Sequence, residues 1–80
     1  MSWVYVLQSS QNGRHYIGHA ADWRTRLSQH NCGEVRSTKA WRPWIMVYKE
    51  FFETKAAAYR REMQLKSYKG GEAFRRTVHG

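Results

Sequence analysis

The stretch Tyr16-Ile17-Gly18-His19-Ala20-Ala21-Asp22-Trp23-Arg24-Thr25-Arg26-Leu27-Ser28-Gln29-His30-Asn31 constrains the chain more than any other. It reads as a short strand ending in glycine, a tight turn, and a helix opened by Asp22. A carboxylate suits that N-cap because it accepts from the first free backbone N–H groups of the helix. With Asp22 as cap, Trp23, Leu27 and Asn31 fall near one helical face. Arg26 and His30 stand four residues apart on an adjoining face. They lie about 40° apart around the axis and on the order of 6 Å apart along it, close enough to act on one phosphate. The same spacing also permits a plain Asp22–Arg26 ion pair with the arginine merely solvated.

A chain of 80 residues has room for one domain with one modest core, and none for a catalytic domain beside a separate recognition domain. Fourteen Lys and Arg against six acids leave a formal net charge of +8. The cations run from Arg14 to Arg76 and are mixed with aromatic residues, which points to a polyanion and most simply to nucleic acid. A membrane surface is disfavoured, since no long apolar run or strongly amphipathic basic helix is evident. The single cysteine, Cys32, excludes an intramolecular disulfide. No basic segment followed by an apolar signal core opens the chain, and a cytoplasmic location is expected.

Before the opening stretch, Trp3-Val4-Tyr5-Val6-Leu7 is a β-rich run closed by Gln8 to Gly13, a polar turn with an Asn-Gly step. Arg14 to Gly18 resumes as a second strand, so an antiparallel hairpin is expected, with Tyr5 and Tyr16 on neighbouring strands. The helix ends at Gly33. Glu34 to Arg42 reads as a surface loop carrying Arg36, Lys39, Trp41 and Arg42. Cations interleaved with an indole suit backbone contact and base stacking, while a tryptophan folded under the domain edge suits the same pattern. Pro43 then opens a third strand, Trp44 to Phe52. Thr54 caps a second helix, Lys55 to about Ser67, and after a break at Lys69-Gly70-Gly71 a short helix from Glu72 to Val78 is anchored by Phe74. The order β-β-α-β-α-α predicts an α+β domain, a three-stranded antiparallel sheet flanked by helices.

On the second helix Ala58, Glu62 and Leu65 lie within about 60° of one another, which sets a carboxylate on a partly apolar stripe. Glu62 therefore calls for a partner: Lys66, four residues on, or a divalent cation. A zinc site drawing on His30 and Cys32 with His15, His19 or His79 lacks a recognised ligand spacing. Cys32 has no base beside it on its own side of the helix, which disfavours a Cys/His hydrolase.

Trp3-Val4-Tyr5, Tyr16-Ile17-Gly18, Arg26 after that glycine, His30 one turn later and Glu62 within Tyr59-Arg60-Arg61-Glu62 form an ordered set over nearly the whole chain. In this set the sequence resembles the GIY-YIG nuclease superfamily, specifically its small single-domain bacterial, UPF0213-like members. The resemblance implies a metal-dependent endonuclease that hydrolyses a DNA phosphodiester in one step, in repair, recombination or mobile-element processing. It implies that Glu62 holds one Mg²⁺ or Mn²⁺ and that Arg26 stabilises charge on the phosphate. Tyr5 is then the general base, with Tyr16 and His30 adjoining it. A tyrosine needs its pKa lowered for that role, and the surrounding positive charge is expected to lower it. Arg24, Arg36, Lys39, Trp41, Arg42, Arg61, Lys66 and Lys69 are the candidates for contacting DNA, and a double-strand break would call for a dimer or a partner protein supplying specificity.

Three positions depart from the family pattern. Trp3 stands where the name-giving residue of the first motif is Gly, a change expected to affect packing more than chemistry. His19 follows Gly18 where several members carry Lys, giving a pH-dependent donor at the site. No Asn follows Glu62, since the only asparagines are Asn12 and Asn31. The alternative to a nuclease is accordingly a nucleic-acid-binding module that keeps the fold without turnover.

Overall fold

The structure, a computed structural model, describes residues 1–69 and 71–79. Part of the expected break before the last helix, Gly70, lies outside them. The elements run β1 (Ser2–Ser9), β2 (His15–Ala20), α1 (Trp23–Cys32), β3 (Trp44–Phe52), α2 (Lys55–Tyr68) and α3 (Glu72–His79), with a one-turn 3-10 helix at Lys39–Trp41. Both strand pairings are antiparallel and the sheet order is β2-β1-β3, as an α+β domain with this element order requires.

β1 is the central strand and Val4 to Leu7 are all buried, so alternation sends its side chains into two separate cores. Val4 and Val6, with Ile17 of β2, pack against Ala58 and Leu65 of α2 and Phe74 and Val78 of α3. Tyr5 and Leu7 face the other way and join Trp44, with Tyr16, Leu27, Trp41 and Met46 against them. Each fully buried aliphatic side chain in these layers contributes about 1.5–3 kcal/mol. A bulge between Val6 and Leu7 against β3 lets Val6 face Tyr48 and Leu7 face Met46.

The local signals act as their chemistry demands. The Asp22 carboxylate accepts from Arg24 N at 3.0 Å, Thr25 N at 3.4 Å and the Thr25 hydroxyl at 2.7 Å. Arg26 turns instead to Gln29, its Nη1 donating to Oε1 at 2.9 Å, and so does not form the ion pair that Asp22 and Arg26 could make. Gly33 closes α1 at φ 82°, a left-handed conformation that favours glycine. The Thr54 hydroxyl caps α2 through Ala57 N at 3.1 Å, and the buried residues of that helix are Ala58, Glu62 and Leu65. The hairpin extends beyond the expected bounds. β2 runs on to Ala20 because Trp3 pairs with it.

Candidate active site

Tyr5 projects from the central strand and is 1% exposed. Its Oη lies 3.1 Å from His30 Nε2, and His30 Nδ1 lies 2.8 Å from Thr38 Oγ1. The Thr38 hydroxyl has one proton and donates it to Val35 O at 3.3 Å. It therefore accepts from His30, which places the imidazole proton on Nδ1 and leaves Nε2 to accept from the Tyr5 hydroxyl. The result is a directed chain, Tyr5 to His30 to Thr38 to a backbone carbonyl. Burial, helped by the nearby Arg26 charge, lowers His30 to about 4 and keeps the ring neutral.

Tyr5 does not behave as the density of positive charge led us to expect. Burial pushes its phenol up to about 12, and the lowering influence of Arg26 is outweighed. The expectation that cations hold this tyrosine low is thus corrected by the depth at which the central strand places it. Arg26 and His30 likewise do not share a phosphate. His30 is fully buried with both ring nitrogens engaged, leaving half-buried Arg26 as the member of the pair that an anion can meet.

Tyr16 is half-buried, its ring 4.8 Å from the His30 ring and 6.3 Å from that of Tyr5. Between the tyrosines Gly18 stands opposite Tyr5 across the hairpin. A Cβ there would lie 2.7 Å from Tyr5 Oη and 2.9 Å from its Cζ, closer than any carbon can sit. The glycine of Tyr-Ile-Gly is thus required by the phenol that fills its side-chain space.

The next residue, His19, points to the opposite face of the edge strand and meets Glu62 of α2. His19 Nδ1 donates to one carboxylate oxygen, and Lys66 Nζ donates to the other at 2.7 Å. Burial pushes the Glu62 carboxyl up, but the hydrogen bonds from His19 and Lys66 outweigh it and hold the group below the usual carboxylate range. Glu62 is only 7% exposed yet ionised. Its charge is felt by Tyr5 on the far side of the sheet, and that of Tyr16 by Lys66. Gly18 and His19, adjacent on β2, thus carry the two half-sites on opposite faces of one strand.

Among the described residues no group of three or more His, Cys, Asp or Glu could hold a metal. The set present is one anionic oxygen donor whose charge is balanced by Lys66, a side chain 47% exposed that can swing into solvent. A hard divalent ion takes oxygen ligands and often one or two protein carboxylates, with water and substrate phosphate completing its shell. Glu62 fits such an ion.

The expected DNA-contacting residues are placed unevenly. Arg24, Arg36, Lys39 and Lys69 are exposed. Arg42 is half-buried and donates from Nε to Lys39 O at 2.9 Å. Arg61 is committed to Glu50 at 3.1 Å and Gln64 at 2.6 Å, and Lys66 to Glu62. Trp41 is half-buried against the Tyr5 core, with the guanidinium of exposed Arg14 4.9 Å from its ring centroid. Sequence reasoning missed Thr38, whose carbonyl also accepts from Trp44 Nε1 at 2.9 Å. It missed Asn31 as well, whose amide brackets the Trp44 backbone at 3.1 and 2.6 Å. Nothing local marks either residue.

A small three-stranded α+β domain with Tyr-Ile-Gly on its edge strand and a glutamate brought against that strand from α2 defines a nuclease domain of the GIY-YIG class. The family model of the GIY-YIG catalytic domain matches residues 1–72, and the chain belongs to that family. UPF0213 proteins of Staphylococcus aureus strains Mu3 and Mu50 are 41% identical to it over 66 residues, covering 81% of this chain and 79% of theirs. The solution structure of a UPF0213 protein from Bacillus halodurans is similar with a TM-score of 0.50 and 27% identity, covering 100% of this chain and 98% of that one. The family implies nuclease activity on DNA and generally uses divalent metal ions.

Proposed function

We propose that this chain is a divalent-metal-dependent DNA endonuclease, its 80 residues acting as one nuclease domain in the cytoplasm, in repair, recombination or mobile-element processing. The reading is supported by the buried Tyr5–His30–Thr38 hydrogen-bond chain beside the edge strand β2 together with an ionised, nearly buried Glu62 held by His19 of that strand. No helix among the described residues is long and apolar enough to cross a membrane.

In the reaction, Arg26 receives the scissile phosphate, and that anion offsets the charge by which Arg26 depresses His30. As the phosphate draws Arg26 away from the 1% exposed Tyr5 phenol, one water enters beside Oη and loses a proton to that oxygen as it attacks phosphorus. The phenol passes its own proton to His30 Nε2 in the same event, so no free phenolate is needed from a group lying near 12. The P–O bond to the leaving oxygen breaks in the same displacement, that oxygen takes a proton from solvent, and the proton on His30 returns through Tyr5 to solvent. Tyr16 packs the imidazole in place, while His19 and Lys66 keep the Glu62 carboxylate ionised and oriented. When bound through Glu62, one Mg²⁺ or Mn²⁺ supplies neutralisation of charge on the phosphate and leaving oxygen.

The test is incubation of linear, nicked, flap, fork and four-way-junction DNAs at low salt with Mg²⁺, Mn²⁺ or EDTA. Products that require the metal and vanish in folded Glu62→Gln and Arg26→Ala proteins are expected. Salt-dependent binding with no products on any substrate would overturn the enzyme and leave a binding module, and a partner protein that restores cleavage would be the source of specificity.

A further inference from the structure

On the hairpin side of Tyr16, away from Glu62, the surface sinks into a cavity of about 460 Å³. Its aromatic lining comes from Tyr16, Trp41 and Trp44, and polar Ser37 and Thr38 contribute beside them. Trp44 is 4% exposed and Thr38 1%, the threonine hydroxyl already engaged with His30 and Val35, so these two form the floor, while half-buried Tyr16 and Trp41 and exposed Ser37 face the opening. Arg14 and Lys69, both exposed, also line the cavity, and none of the lining residues is acidic.

This combination is specific in kind. Ring surface takes a flat heteroaromatic group, hydroxyls suit the polar edge of such a group, and unopposed cations take a phosphate. A base stacked inside a duplex cannot enter a pit of this shape, whereas one out of the stack can. Tyr16 lines the cavity and also packs on His30, which ties the cavity to the Tyr5–His30 side of the site.

We infer that the cavity between β2 and the Ser37–Trp44 segment is a subsite for one unpaired nucleotide, its base against Tyr16, Trp41 and Trp44 and its phosphate at Arg14 and Lys69. The substrate is then DNA with a single-stranded or displaced nucleotide beside the bond to be cut. This rests on the nuclease reading only for the identity of the polymer, since seating the nucleotide requires no chemistry.

The experiment is therefore done in EDTA with the whole chain. Fluorescence anisotropy compares a single strand, the matching blunt duplex, and that duplex with a one-nucleotide gap opposite 2-aminopurine. Free dAMP serves as competitor. The expected result is binding of the single-stranded and gapped DNAs about tenfold or more tighter than the duplex, the scale of one base stacked on an aromatic ring. It is accompanied by quenching of 2-aminopurine. Ser37→Trp, which fills the cavity from an exposed position, should abolish both the preference and the quenching while leaving duplex affinity unchanged. Lys69→Glu should reduce the preference if the tryptophan variant fails to fold. Equal affinity for paired and unpaired DNA, a preference that survives Ser37→Trp, or 2-aminopurine quenching that a large excess of dAMP fails to relieve would overturn the subsite. Cleavage that fails on every substrate while the preference stands would instead refute the nuclease reading alone.

Discussion

The two faces of the sheet are both closed to water, yet by opposite means. The face under α2 and α3 is a dry layer of Val4, Val6, Ile17, Leu65, Phe74 and Val78, with carboxylates only at its margins, Glu62 beside β2 and Glu50, held by Tyr48 and Arg61, on β3. The face under α1 holds a buried phenol and a buried imidazole, each satisfied by a hydrogen bond. Burial on the first face supplies stability. On the second it is directed at proton positions, lifting Tyr5 to about 12 and lowering His30 to about 4. The difference teaches that in a domain this small the same central strand must serve both ends, with alternate residues assigned to each.

If that division holds, damage to each face has its own signature. The largest effect belongs to the dry face: Leu65→Ala should lower unfolding free energy by about 2–5 kcal/mol in urea titrations, with the cleavage rate per folded molecule unaltered. A matching loss of intrinsic rate would break the comparison. Gly18→Ala attacks the seam between the faces. Crowding Tyr5 at 2.7 Å should destabilise by about 1–3 kcal/mol and also slow cleavage, separating it from Leu65→Ala.

Thr38→Val removes the acceptor beneath His30 and leaves a buried N–H unpaired, costing about 1–3 kcal/mol by thermal or chemical unfolding. It should also loosen the tautomer, visible in the nitrogen chemical shifts of the His30 ring. The last signature is in pH. His30 lies below its ordinary value when folded, so the unfolded chain binds the extra proton. Its stability contribution is complete above about 6.5 and is lost as pH falls toward about 4. Melting temperatures across that window should fall less in His30→Phe than in the unsubstituted protein.

Much of this architecture is written locally. Asp22 caps, Gly33 terminates, Pro43 opens a strand, and three residues of α2 mark the stripe that buries Glu62, because each of these depends on neighbours within about one helical turn. The candidate site was legible as a set of residues through the Tyr-Ile-Gly tripeptide and its ordered companions. Its electrostatics were not. That Tyr5 is raised follows from its place in the middle strand, and that His30 is sealed follows from the Thr38 segment folding over it, both consequences of long-range packing. Trp41 shows the same limit: that Arg14, from the hairpin, lies over its ring is a long-range contact the loop itself does not announce.

The claim on which all of this depends is that groups from the two faces form one site around the β2 edge. Single-turnover DNA cleavage in Mg²⁺ should be measured for Tyr5→Phe, Glu62→Gln and the double variant, with folding checked by circular dichroism. Residues that act as a unit are strongly non-additive, so the double variant should be no slower than the slower single one. Losses that simply multiply would contradict the account and place Tyr5 and Glu62 in separate roles.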